Sequence, residues 1–178
     1  MSTETERSSR EQIVSLAALA VIAAVVFGLD QWSKALVKAS LAEGEWWAPI
    51  PSAWRLFRFT HTTNTGAAFG IFPNQGGFFV VIAIVVVVAI VLYYRHLPAG
   101  SWLVRIALGL QLGGAMGNLI DRVRLGYVTD FVDVGFWPVF NVADSSIVIG
   151  VALIAYSLWQ EDLRSGLVET SASDAEVG

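Results

Sequence analysis

The sequence predicts an all-α membrane fold, a bundle of four transmembrane helices with a small β-sheet beside it, and three observations carry that reading. Of the 178 residues, 55% are hydrophobic and only 15% charged, a balance that soluble domains of this length rarely reach. Four apolar runs approach the width of a hydrocarbon core. The stretch between the first two runs carries a strand-like pattern. Four spans and their loops use nearly all of residues 1–178, so a single integral membrane domain is expected.

Ile13 to Leu29 is the first run, with Ser15 its one polar interruption; at about 1.5 Å per residue it nearly crosses the bilayer core. A cleaved secretory signal competes, because Arg7 and Arg10 precede the run. The run is long for that role, and Asp30 rather than a small-residue cleavage site follows. Phe78 to Tyr94 is rich in β-branched residues but too long for a strand, and its two terminal tyrosines fit an interfacial anchor. Trp102 to Ile120 carries Arg105, Gln111 and Asn118, which predicts that it faces neighbouring helices. Gly109, Gly113 and Gly117 share one face of it, where missing side chains let another backbone approach. Ser145 to Trp159 forms the fourth span, and residues 165–178 read as a disordered tail. Four spans put both termini on one side. Five arginines on that side face six basic residues opposite, so loop charge leaves the orientation open.

Trp54, Leu56, Arg58 and Thr60 in WRLFRFTHTTN predict short strands and a small sheet on the membrane surface. The net charge of −4 comes largely from the two ends, and no nucleic-acid footprint is present. The absence of cysteine excludes thiol catalysis, disulfides and Cys-type zinc sites. Only His61 and His96 are available as imidazole ligands, so no metal site and no cofactor are expected.

Ionisable and amide side chains at membrane depth are costly, and each is a functional candidate. Here they gather opposite the termini. Asp30 and Lys34 stand four apart at the end of the first run, which predicts an interfacial ion pair. Asn64 opens NTGAAF, whose small residues, Gly66 among them, admit a peptide close to the backbone. Asn118 and Arg122 offer an amide and a guanidinium for peptide carbonyls or a phosphate, or serve as bundle glue. Asp121 and Asp133 read as solvated acids at the interface. Asp130 in VTDFV and Asp144 in NVADSS lie among apolar neighbours in a loop returning to the membrane. Asp144 precedes the fourth span at an N-cap position that favours ionisation, a plain helix cap being the alternative. Asp130 would be desolvated and, if near Asp144, would feel a like charge, and both raise its pKa. Such a pair shares one proton, with Asp144 more often ionised, and can drive water onto a peptide carbonyl.

DQWSK at 30–34, NTGAAF at 64–69, GGAMGNLIDR at 113–122, VTDFVD at 128–133 and FNVAD at 140–144 together resemble, in order and spacing, the lipoprotein signal peptidase (signal peptidase II) family. The resemblance covers roughly residues 13–160. It implies a bacterial aspartic endopeptidase with Asp130 and Asp144 as the catalytic dyad. Asn64, Gly66, Asn118, Arg122 and Asn141 would line the site and hold substrate, while Asp30, Lys34 and Asp121 support the fold. The implied partners are membrane lipids and prolipoproteins whose cysteine bears diacylglycerol, cleaved just before that cysteine. The implied setting is the bacterial cytoplasmic (inner) membrane, with a monomeric enzyme, both termini cytoplasmic and the site facing the outer leaflet. The family also implies an extracytoplasmic β-cradle, a short mobile periplasmic helix over the site, and room for the lipid around Gly66 to Ala68.

Three other classes compete. A proton or cation conductor would string carboxylates through the span midplanes, whereas these acids lie at helix ends. A metal-dependent hydrolase would need a weak all-oxygen site from Asp130, Asp133 and Asp144. A structural scaffold would tolerate Asp→Asn changes.

Overall fold

The computed structural model of the chain describes residues 2–66, 76–94, 97 and 102–177, with side chains described within 13–164. Helix α1 spans Ser2–Ser40, strand β1 Trp46–Trp47, β2 Arg58–Asn64, helix α2 Gly76–Tyr94, α3 Trp102–Leu125, strand β3 Val128–Asp133 and α4 Val142–Val177. Four helical stretches, Ile13–Ser40, Gly76–Tyr94, Trp102–Leu125 and Val142–Arg164, are long and apolar enough to cross a membrane.

α3 is the hub, with α1, α2 and α4 all packed on it. Its sequence explains this position. Arg105 and Asn118 are buried on it, and a helix carrying such groups loses least when neighbouring helices supply their partners. α2, which carries no charged residue, exposes most of its length. Lipid tails are as apolar as leucine, so close packing must come from small residues. A Cβ on Gly109 would lie 2.8 Å from Ile22, and one on Gly113 2.6 Å from the Ala23 carbonyl. The glycine stripe seen in the sequence is therefore the seat of α1. Gly114, one position round, seats α4 against Ala143 and Ser146. At the end of the bundle remote from the sheet, Leu19, Ile90, Tyr94, Leu108 and Leu112 form an apolar cluster. Tyr93 points outward as an interfacial residue would, but Tyr94 is buried and its hydroxyl bonds to Ser15.

The sheet is antiparallel in the order β1-β2-β3. Trp46 stacks on Trp54 at 5.6 Å, and the Arg58 guanidinium lies against both rings. These rings, with Trp47, Phe136 and Trp137, remain exposed, the aromatic surface expected at a membrane–water boundary.

Several boundaries differ from those expected. α1 continues past Asp30 and Lys34 to Ser40, because the two charges pair inside the protein and need not mark a helix end. α3 runs to Leu125 and α4 begins at Val142. The backbone of α4 is helical through Val177, across the stretch read as a tail; residues such as Leu, Glu and Ala there favour helix once a helix already feeds into them. Trp54 and Leu56 lie in a turn, and the strand starts only at Arg58. VTDFVD is a strand rather than a loop, as its Val, Thr and Phe content favours. Between β1 and β2 the chain makes one short 3₁₀ helix, Pro51–Ala53.

The packing yields a prediction. Gly113→Ala drives a methyl against the Ala23 carbonyl, a backbone atom that cannot yield, and costs about 1–3 kcal/mol. Gly28→Ala, with nothing within 4 Å of the added carbon, leaves stability unchanged or slightly higher. Thermal unfolding of the detergent-solubilised protein separates the two.

Candidate active site

The site lies where β2, β3, the end of α3 and the start of α4 converge. A β-bulge sets the first contact. Phe59 pairs with Val132 but Thr62 with Asp130, so β2 carries an extra residue around Thr60 and His61. One inserted residue moves every later side chain to the opposite face of a strand. Asn64 thereby shares a face with Asp130, and its Nδ2 donates to Asp130 Oδ2 at 2.9 Å. Without the bulge Asn64 would point away.

The second carboxyl is held by a capping box. Asn141 is the N-cap of α4: its Oδ1 accepts the Asp144 N–H at 2.9 Å, while its own N–H donates to Asp144 Oδ2 at 3.2 Å. Reciprocal bonds of this kind satisfy two free donors of a helix start at once. Asp144 is thus in the first turn rather than at the cap, a shift of three residues that keeps it beside the positive end of the helix. The Nδ2 of Asn118 donates to its other oxygen, Oδ1, at 2.7 Å.

Asn141 joins the two acids. Its Nδ2 donates to Asp130 Oδ1 at 2.6 Å while its backbone holds Asp144. Asn141 is 0% exposed and Asp130 3%. Among the described residues neither carboxyl has a cation at salt-bridge distance. Burial, then the nearby charge of Asp144, push the Asp130 carboxyl from 3.8 up to about 6, against the opposing pull of the Asn64 and Asn141 bonds and the Lys34 charge. A buried acid near neutrality next to a second acid is equipped to hold and release one proton.

The remaining candidates fall into place around this pair. Asp30 and Lys34, 0% and 1% exposed, form a 2.8 Å ion pair inside the bundle, not at an interface. Asp121 is buried as well and pairs with Lys34 at 2.9 Å. Asp133 is buried against Arg58 at 2.6 Å. Neither acid is a solvated surface group, because each has found a cation that the one-dimensional pattern does not connect to it. Arg122 donates to the Gly66 and Asn118 carbonyls at 3.3 and 3.4 Å and lies over the Phe79 ring. The Gly66 N–H donates to Asn64 Oδ1 at 3.0 Å, closing an Asx turn beside the Asp130 carboxyl. Ala67 and Ala68, expected to leave room for a lipid, lie outside the described residues. Three contributors were not singled out from sequence. Gln31 bonds to Asp30, Asp121 and the Gly117 carbonyl. Ala143 donates its N–H to Asp30 at 3.0 Å, and Thr129 donates its N–H to Asp121 at 3.4 Å. The last two act through backbone, which leaves no side-chain signal; Gln31 sits inside DQWSK, and its polar character within a helix was the available clue.

The profile of the signal peptidase (SPase) II family matches residues 22–160. The chain is similar to the lipoprotein signal peptidase of Halothermothrix orenii, 45% identical over 142 residues that cover 80% of this chain and 95% of the relative. It is 42% identical over 138 residues to the lipoprotein signal peptidase of Moorella thermoacetica, covering 78% and 90%. A bacterial membrane enzyme solved by the in meso method at 2.3 Å superposes with a TM-score of 0.76 at 33% identity, over 82% of this chain and 90% of that one.

The raised pKa of Asp130 has a consequence for stability. A carboxyl held above its ordinary value favours the fold in its protonated form, so its contribution is complete below pH about 4 and lost as pH rises through about 6. Asp130→Asn removes that loss. Relative to the parent, the variant should gain up to about 3 kcal/mol between pH 4 and pH 8, on top of a pH-independent cost where its NH₂ faces the Asn64 or Asn141 donor. Thermal unfolding across that range checks it.

Proposed function

From the premise that this chain belongs to the signal peptidase II family, we propose that it is an aspartic endopeptidase in which Asp130 and Asp144 activate a water molecule. The observation that carries the reading is Asn141, which bonds both carboxyls at once and so keeps two acids together where one proton serves both.

The chemistry follows from the charge state of the pair. The pair shares one proton, which we assign to Asp130, enclosed at 3% exposure, and Asp144 takes a proton from water as its oxygen attacks the scissile carbonyl carbon. Asp130 gives its proton to the carbonyl oxygen, forming a tetrahedral diol. When the C–N bond breaks, the leaving nitrogen receives a proton from the pair and a diol hydroxyl returns one, so the dyad ends with the single proton it began with. Asn64, Asn118 and Asn141 hold the carboxyl planes in register for both transfers. Gly66 and Arg122, joined through the Gly66 carbonyl, are placed to grip the extended backbone of a substrate.

The relatives named lipoprotein signal peptidase support a prolipoprotein substrate, and we assign a diacylglyceryl-modified cysteine immediately after the cleaved bond. Two acyl chains hold such a substrate in the bilayer, and a site at the ends of membrane-crossing helices meets it by lateral diffusion. The same reading places the monomeric enzyme in the bacterial cytoplasmic membrane with both termini inside and the sheet on the outer surface.

Asp130→Asn and Asp144→Asn should each lower cleavage of diacylglyceryl-modified precursor by on the order of 10³-fold or more in folded, purified protein, and excess chelator should leave the parent's turnover intact. Turnover near the parent's in either variant would refute the dyad.

A further inference from the structure

Among the described residues Lys34 is the one buried ammonium in reach of this site, and the use it makes of its three protons is unequal in consequence. Two go to carboxylates, Asp30 Oδ2 at 2.8 Å and Asp121 Oδ2 at 2.9 Å; the third goes to Asn118 Oδ1 at 3.0 Å. An ammonium has three donors and no acceptor, so each is satisfied. The third bond matters most for the dyad.

A carboxamide is nearly symmetric in shape, and either end could face Asp144. Turned the wrong way, Asn118 would aim its NH₂ at an ammonium and its oxygen at a carboxylate, two repulsive contacts between buried groups. Lys34 therefore forces the oxygen toward itself and the Nδ2 donors toward Asp144, where one bonds at 2.7 Å. Asn118 Oδ1 also accepts from Asn141 Nδ2 at 3.1 Å, and the same Nδ2 donates to Asp130 at 2.6 Å. One ammonium thus fixes the direction of two amides, one ending on each acid.

We infer that Lys34 is a positioning residue for the hydrolysis: acting through Asn118, it orients the amide donors on Asp144 and Asp130 and supplies the fixed positive charge that keeps one of the two acids ionised. The inference rests on the dyad reading. The charged groups facing the pair are Asp30 and Lys34 from α1 and Asp121 and Arg122 from α3. Asp30 and Asp121 are themselves bonded to Lys34, and Arg122 reaches the pair from the Gly66 side. Lys34 accordingly has an effect distinct from that of a residue that only holds helices together.

The test is the pH profile of kcat and kcat/KM on diacylglyceryl-modified precursor in detergent, for the parent, Lys34→Met, and the charge-balanced double variant Lys34→Gln with Asp121→Asn. The balanced variant leaves fewer unpaired buried charges and guards against loss of fold. The expected result is a kcat lowered about tenfold or more with KM little changed, and an acid limb moved about one unit toward higher pH, since losing a cation makes a carboxyl harder to ionise. A structural role would lower activity only in proportion to folded protein and leave the limb in place; that result, or failure of both variants to fold, overturns the inference. Asp144→Asn run alongside separates the two claims. An active Asp144→Asn removes the dyad itself, whereas an inactive one beside unshifted Lys34 variants removes only the role of Lys34.

Discussion

A polar group inside a membrane protein must find its partner within the protein, and nearly everything distinctive here answers that demand at one ammonium. Lys34 binds acceptors from α1 and α3, and those acceptors reach onward. Asp30 takes the Ala143 N–H at the start of α4, Asp121 takes the Thr129 N–H of β3, and Asn118 reaches Asp144 and Asn141. Four elements are tied to one charge. Breaking such a cluster by removing one member leaves the others unpaired, a cost of about 3–5 kcal/mol for a buried ion, so the arrangement tolerates little drift.

Close packing makes the cluster possible. A Cβ at Gly117 would lie 2.5 Å from Asp30 Oδ2, so the last glycine of the stripe is the space into which the carboxylate fits. Gly109 and Gly113 bring α1 to α3, and Gly114 brings α4. The same small residues that replace the missing hydrophobic drive between helices also carry the polar end of the bundle to hydrogen-bond distance. Packing and site geometry are one design, with dispersion along the spans and charge at their ends.

The sheet adds the remaining contact by a register device. Its bulge around Thr60 and His61 turns Asn64 onto Asp130, and the turn at Gly66 brings a carbonyl to Arg122. Trp46 and Trp47 lie on the same small sheet, with Trp54 stacked on Trp46 from the adjoining turn, which couples a surface suited to the membrane boundary with a strand that touches the site. An acid raised to about 6 is the electrostatic outcome of enclosing Asp130 between this sheet and α4.

The sequence by itself determined the four apolar spans, the glycine seat on α3, the presence of strands before the second span, and the set of polar residues at one end, because hydropathy and residue size are local properties with a fixed period. The five ordered motifs pointed to the family and to Asp130 and Asp144. Only the tertiary structure decided how those residues meet. That Asn141 rather than Asp144 caps α4 turns on bonds between residues three apart, whereas the strand at VTDFVD, the burial of Asp121 and Asp133 against cations and the core setting of Asp30 and Lys34 depend on partners distant in the chain, up to 113 positions away. Periodicity says which face a side chain occupies, but the partner opposite is chosen by how helices and strands pack, and a burial cost or a raised pKa exists only once that partner is in place.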